Sequence, residues 1–212
     1  MEIKNIIFDF GGVIADLSWE GAVDSFREIG LSNADQILDK YHQTGFFQDM
    51  EEGHITPDEF ADKLSALCGR KLTKEEIKGA WMGYFPYVDT RKLEYIEELS
   101  KEYHIHVLSN TNPYIMSWAC SNSFTALGKP LTHYAENLYL SYELGYTKPD
   151  IRIFEKMIEK SNIKVEETLF IDDGPSNIKA AEEAGLLGLL VGSTEDWRDK
   201  LSNFLKSATS NI

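Results

Sequence analysis

The stretch Ile3 to Val13 constrains this chain more than any other. Ile6, Ile7 and Phe8 follow one another without a polar break, the pattern of a strand covered on both faces. Asp9 comes next, then Phe10, Gly11 and Gly12, and the two glycines let the backbone turn and approach a ligand closely. Strands buried on both faces belong to parallel sheets, whose ligands sit beyond the carboxyl ends of the strands. Asp9 would then stand at the mouth of a site. Taken alone, aspartate before Gly-Gly is also ordinary turn chemistry, so the decision lies with the rest of the chain.

Helical signals occupy the chain from residue 16 to residue 88. Ser18 can cap a helix carrying Trp19, Val23 and Phe26, and a second helix is expected from Asn33 to about His42. Thr56-Pro57-Asp58-Glu59 is a capping box with proline at the first helical position, Gly69 is a suitable stop, and Thr73 to Glu76 repeats the capping signature. Four helices are expected here with no strand between them, as in an inserted bundle.

Strands and helices then alternate. Arg91 to Glu102 reads as an amphipathic helix, and His104 to Ser109 as a strand ending in Asn110-Thr111-Asn112. Residues 113–130 carry no clear pattern. Asn137 to Tyr142 is a strand, and a helix runs through Ile153, Phe154 and Met157. Thr168 to Ile171 is a strand ending in Asp172-Asp173, Pro175 to Ala184 a helix stopped by Gly185, and Leu186 to Val191 the last strand. Thr194 to Lys206 is a closing helix, and Ser207 to Ile212 a loose tail. The expected fold is α/β: a Rossmann-like parallel sheet with helices on both faces, formed by 1–15 and 89–212, and an all-helical cap inserted at 16–88.

A parallel sheet gathers its strand ends on one edge, so Asp9, Ser109-Asn110, Lys148 and Asp172-Asp173 converge. An anionic nucleophile, a hydroxyl and an amide, a cation and a pair of acids are the inventory for phosphoryl transfer to aspartate with magnesium. Magnesium takes a few carboxylates and keeps waters, and it offsets the repulsion between an anionic attacker and a phosphate. Asp9 would attack phosphorus, while Ser109, Asn110 and Lys148 hold the phosphoryl oxygens.

The order of these motifs resembles the haloacid dehalogenase superfamily, in particular its phosphatases with a helical cap after the first motif. The Ser-Asn-Thr-Asn run at 109–112 and Lys148-Pro149 are similar to those of bacterial sugar-phosphate phosphatases of the glucose-1-phosphatase type. The resemblance implies that Asp9 is the nucleophile, Ser109 the second motif, Lys148 the third, and Asp172-Asp173 with Asn177 the fourth. It also implies that Asp173 is the best metal ligand, with Asp172 beside it, the Gly11 carbonyl on the magnesium and Gly12 near the phosphate. One position departs from the family: its phosphatases usually carry a second aspartate, the general acid and base, where this chain has Gly11. General acid catalysis is typically worth ~10²–10⁴-fold. Asp16 is the nearest downstream carboxylate that could substitute, and a sugar 1-phosphate, with its less basic leaving group, would need the acid less.

The expected activity is therefore magnesium-dependent hydrolysis of a small, sugar-phosphate-like metabolite through an aspartyl-phosphate on Asp9. Two alternatives stand beside it: a metal-independent dehalogenase, and a phosphate-binding protein that lost turnover with the general acid. A net charge of −14 argues against nucleic acid or an anionic membrane as partner. Two cysteines and the absence of a leader or of an apolar run of spanning length point to the cytoplasm. A monomer is the default expectation, a dimer the alternative. Trp81, Tyr84 and Phe85 read as bundle core, Phe46 to Gln48 as a linker that could reach substrate, and Asp49 to Glu52 as a solvated acidic turn.

Overall fold

The computed structural model describes residues 2–39 and 43–210, with side chains through 208. Its strands are β1 (Asn5–Phe8), β2 (His104–Ser109), β3 (Asn137–Leu140), β4 (Thr168–Asp172) and β5 (Leu187–Leu190). All pair in parallel, in the order β3-β2-β1-β4-β5. The central place falls to β1 because all four of its residues are buried. Ile6 pairs with Ile105 on one side and Leu169 on the other, and Phe8 with Val107 and Ile171. From β1 the chain steps outward to β3, then returns to the opposite side for β4. That reversal beside β1 is the switch point at which open sheets of this kind bind ligands.

Alternation along the strands divides the core. Ile6 and Phe8 join one cluster with Ile105, Val107, Leu169 and Ile171, while Ile7 joins a second with Leu108, Phe170, Phe154 and Met157. Both faces of the sheet are covered, as expected.

Helices α1 (Trp19–Glu28), α2 (Ala34–Ile37), α3 (Gly45–Glu51), α4 (Pro57–Leu67) and α5 (Lys74–Met82) follow β1 with no strand between them among the described residues. Ser18 accepts from Gly21 N at the start of α1, and Thr56 and Thr73 close full capping boxes with Glu59 and Glu76. Gly21 and Gly83 let α1 and the end of α5 touch backbone to backbone. A Cβ on either would lie 2.5 Å from the other's carbonyl oxygen. Phe26, Phe47, Phe60 and Trp81 interlock between these helices, with ring centroids 5.0–5.6 Å apart for four of the pairs.

The expected second helix is corrected. It ends at Ile37, because Leu38 is already extended (φ −80°, ψ 124°), and Tyr41 and His42 lie outside the described residues. Phe46, Phe47 and Gln48 belong to α3 instead of a linker.

The remaining helices are α6 (Thr90–Leu99), α7 (Pro113–Ala119), α8 (Ser141–Leu144), α9 (Ile151–Ser161), α10 (Pro175–Glu183) and α11 (Arg198–Ser210). The stretch without a clear pattern holds α7, which starts where the Asn112 carboxamide accepts from Tyr114 N and Ile115 N and proline takes the first position. The closing helix begins later than expected. Residues 192–197 are held by the loop after β1, through Thr194 N donating to the Gly12 carbonyl (2.8 Å) and Trp197 Nε1 to the Val13 carbonyl (2.8 Å). It also runs on to Ser210, so the expected tail is helical over most of its length. Among the described residues, no helix is long and apolar enough to cross a membrane.

Candidate active site

Asp9 leaves β1 with its amide still on the sheet, donating to the Ile171 carbonyl (2.8 Å). Its carboxylate therefore meets those at the end of β4. One oxygen from each of Asp9, Asp172 and Asp173 lies within 4.8 Å of the others. Lys148 Nζ is 2.7 Å from Asp9 Oδ1, 2.7 Å from Asp172 Oδ2 and 3.3 Å from the Leu108 carbonyl. Lys148 is only 1% exposed. Asn110 sets its position, because the Asn110 Nδ2 donates to the Lys148 carbonyl (2.9 Å) while Lys148 N donates to Asn110 Oδ1 (2.7 Å).

Each carboxylate is engaged differently. Asp172 is enclosed: Oδ1 accepts from Gly174 N (2.7 Å) and Asn177 Nδ2 (2.9 Å), and Oδ2 from Lys148. Asp9 Oδ1 accepts from Phe10 N (2.7 Å) as well as Lys148, which leaves Oδ2 for other partners. Asp173 is the more exposed of the acid pair and lines the cavity beside Asp9. Gly12, at φ +80°, makes room for it, since a Cβ there would lie 2.3 Å from Asp173 Oδ2.

The electrostatics follow from burial. Desolvation pushes the Asp9 carboxyl well above the usual carboxylate range; Lys148 pulls it back, and Asp172 and Asp173 push it up again. Burial alone would lower the Lys148 ammonium, but Asp172 and Asp9 outweigh it and hold it above its ordinary value. Asp173 is raised, first by burial and then by Asp172, against a hydrogen bond from Ser193. Three carboxylates face one ammonium, an excess of negative charge that a divalent cation offsets. The oxygen-only donor set suits magnesium.

A cavity of about 640 Å³ opens over this cluster. Its sheet side includes Asp9, Gly11, Asn110, Thr111, Lys148, Asp173 and Ser193, and its helical side Gln43, Glu51, Trp81 and Tyr84.

Several expectations change at this level. Asn110 belongs to the cluster, but both ends of its carboxamide hold the Lys148 backbone rather than facing an incoming group. Ser109 is 1% exposed, and its hydroxyl donates to the Asn110 carbonyl (3.2 Å). Thr111, which also lines the cavity, has a buried hydroxyl with no hydrogen-bond partner. Gly12 offers no free donor, because its N–H donates to the Ala15 carbonyl (2.8 Å). Its contribution is the space for Asp173.

Asp16 is not brought to the cavity. Its amide donates to the Tyr87 carbonyl (2.9 Å), and its carboxylate pairs with the buried Lys92 at 3.5 Å. No carboxylate fits at position 11 without movement, since a Cβ there meets Leu17 Cδ1 at 3.0 Å. Asp16→Ala should therefore act on stability, leaving the Lys92 ammonium with the Val13 carbonyl (3.3 Å) alone. The expected cost is ~1–3 kcal/mol in urea unfolding, discounted because Asp16 is partly exposed, with kcat within a few-fold of the parent. A thousandfold loss of kcat at unchanged stability would restore Asp16 as the acid.

Glu51 corrects a second expectation. It is not in a solvated turn: it ends α3, buried, and lines the cavity. Burial first, and then Glu52, push its carboxyl up to about 8. Trp81 is packed among aromatic rings, as expected, and it also reaches the cavity wall.

The model of the haloacid dehalogenase-like hydrolases matches residues 3–185. The chain belongs to this family, which bears out the resemblance and the expectation of a hydrolase with a parallel-sheet core. A D-ribitol-5-phosphate phosphatase of Bacteroides thetaiotaomicron is 54% identical over 97% of the chain and 100% of its own length. A HAD-like family hydrolase of Porphyromonas gingivalis superposes with a TM-score of 0.91 at 36% identity, over 97% of this chain and 99% of that one. A HAD family enzyme of Bacteroides thetaiotaomicron, crystallised with magnesium and inorganic phosphate, superposes with a TM-score of 0.84 at 35% identity, over 92% and 97%.

Proposed function

We propose that this chain is a magnesium-dependent phosphomonoesterase for a small sugar phosphate or sugar-alcohol phosphate, acting in the cytoplasm through Asp9. The observation that carries the reading is the meeting of Asp9, Asp172, Asp173 and Lys148 at the carboxyl edge of the sheet. The phosphatase 54% identical over nearly the whole chain supports the same reading. So does the 35% identical enzyme that binds magnesium and phosphate.

In this reading Asp9 Oδ2, the oxygen not held by Lys148 or Phe10, attacks phosphorus as the bond to the leaving oxygen breaks. Lys148 keeps the other oxygen fixed and, with the Thr111 hydroxyl, faces the charge that develops on the phosphoryl oxygens. Asp173 and Asp9 would hold the magnesium, with the Gly11 carbonyl, and Asp172 aligns Lys148 and the start of α10. Bound there, the cation supplies Lewis-acid polarisation and charge compensation. The helical stretch 16–88 serves as the cap that closes over the substrate. A metal-free dehalogenase is disfavoured, because two further carboxylates beside the nucleophile would repel an anionic substrate.

The test is a screen of phosphorylated metabolites and p-nitrophenyl phosphate, with magnesium and with chelator. Phosphate release that EDTA removes and magnesium restores is expected. Magnesium at about 100 times its Kd should also stabilise the fold by ~2.7 kcal/mol, read as a rise in Tm that is lost in Asp173→Ala. Turnover indifferent to chelator would overturn the reading.

A further inference from the structure

The phosphate chemistry above involves only one end of the cavity. On the helical side, residues that line the same space carry buried polar atoms without hydrogen-bond partners. Gln43 Nε2 donates to the Tyr84 hydroxyl (3.0 Å), but Gln43 Oε1 is buried with no hydrogen-bond donor. Trp81 Nε1 is likewise buried with no acceptor, in a side chain only 1% exposed. The Glu51 carboxyl, 8% exposed, stands on this wall too, and no ion pair offsets it among the described residues.

A buried donor or acceptor left unmade costs ~1–3 kcal/mol. Two such atoms and a carboxyl sharing one wall, contributed by α3, α5 and the segment before α3, make a wall that is completed by a ligand. An acceptor, a donor and a carboxyl match hydroxyl groups, each of which both donates and accepts. They do not match an anion. Among the described residues that line the cavity, Lys148 is the only basic one, and Asp9 and Asp172 hold it at the opposite end.

We propose that Gln43, Glu51 and Trp81 form the recognition site for the end of the substrate remote from phosphorus, and that this end is uncharged and hydroxyl-bearing. The natural substrates are then polyhydroxylated monophosphates, and a second phosphate or a carboxylate at the far end is rejected. This rests on the phosphatase reading given above. Tyr84 is a positioning residue: its hydroxyl accepts from Gln43 Nε2 (3.0 Å), which holds the carboxamide in place.

The experiment compares kcat/KM of the full-length enzyme, with magnesium, for a pentitol 5-phosphate, pentyl phosphate and a pentitol 1,5-bisphosphate. The pentitol phosphate should exceed pentyl phosphate by at least ~10²-fold, since a site built to bind hydroxyls rejects analogues lacking them. The bisphosphate should fall a similar factor below the monophosphate. Trp81→Phe, which deletes the indole N–H and keeps an aromatic ring, and Glu51→Met should each reduce the preference for pentitol over pentyl phosphate by ~3–10-fold. The change should appear in KM more than in kcat, at a Tm that shows the variants folded. A ratio near one in the parent, a ratio unmoved in both variants, or equal losses on both substrates would overturn the proposal. So would a bisphosphate used as well as the monophosphate. If no phosphomonoester is hydrolysed, p-nitrophenyl phosphate included, the phosphatase reading itself has failed and this proposal falls with it.

Discussion

Asp9→Asn removes turnover by at least ~10⁴-fold, the scale on which loss of a nucleophile acts, while the protein stays folded. The carboxamide has nearly the shape of the carboxylate, and its oxygen can still accept from Phe10 N and Lys148. What it lacks is the anionic oxygen that bonds phosphorus in the proposed reaction. Stability should not fall much, because Asp9 stands among two other carboxylates and burial already disfavours its charge. A parental Tm with no phosphate released from p-nitrophenyl phosphate is the expected pair of results. Residual turnover within a hundredfold of the parent would mean that water attacks phosphorus directly, with Asp9 only a ligand.

Lys148→Met has the second large effect, on stability and rate together. Among the described residues, Lys148 is the sole cation paired with both Asp9 and Asp172, at 2.7 Å from each. Removing one partner of a buried pair typically costs 3–5 kcal/mol, because the remaining charge is left buried. For a domain of this size that is a fall in Tm of ~6–20 °C. Turnover should drop ~10²–10³-fold, the usual effect of losing one stabilising donor. The stability loss should depend on pH. The Asp9 carboxyl is already raised by burial, and without the lysine that pulls it down it rises further. A carboxyl whose folded value lies above its unfolded one binds its proton more tightly when folded, so stability declines as pH rises between the two values. The gap in Tm between variant and parent should therefore narrow as pH falls from 8 toward 5. A gap that is constant with pH would show that Lys148 contributes by packing and not by charge.

How much of this was legible in the sequence depends on the kind of signal. The strongest local signals are legible, because propensity and capping are properties of short stretches. The β-branched and aromatic run before Asp9 gave the central strand, and Thr56 and Thr73 gave two helix starts that close as full capping boxes. The gathering of Asp9, Lys148 and the acid pair was also legible, since parallel strands share one carboxyl edge. Direction and burial of single side chains were not. Asp16 is near Asp9 in sequence, yet a backbone bridge from Ala15 to Val88 carries it toward Lys92. Glu51 looks like any acidic residue in Asp49 to Glu52, and nothing local reveals that α3 turns it inward. Asn112 before Pro113 is a helix-start signal, and α7 begins there.

The carbonyl of Val13 receives both the Lys92 ammonium and the Trp197 indole. One oxygen thus ties the loop that follows the first strand to residues 79 and 184 positions further along. During synthesis on the ribosome Asp9 emerges ahead of both anchors, and the second of them follows Val13 by 184 residues. A growing chain that has not yet reached Trp197 holds Asp9 beside a loop that lacks its indole anchor.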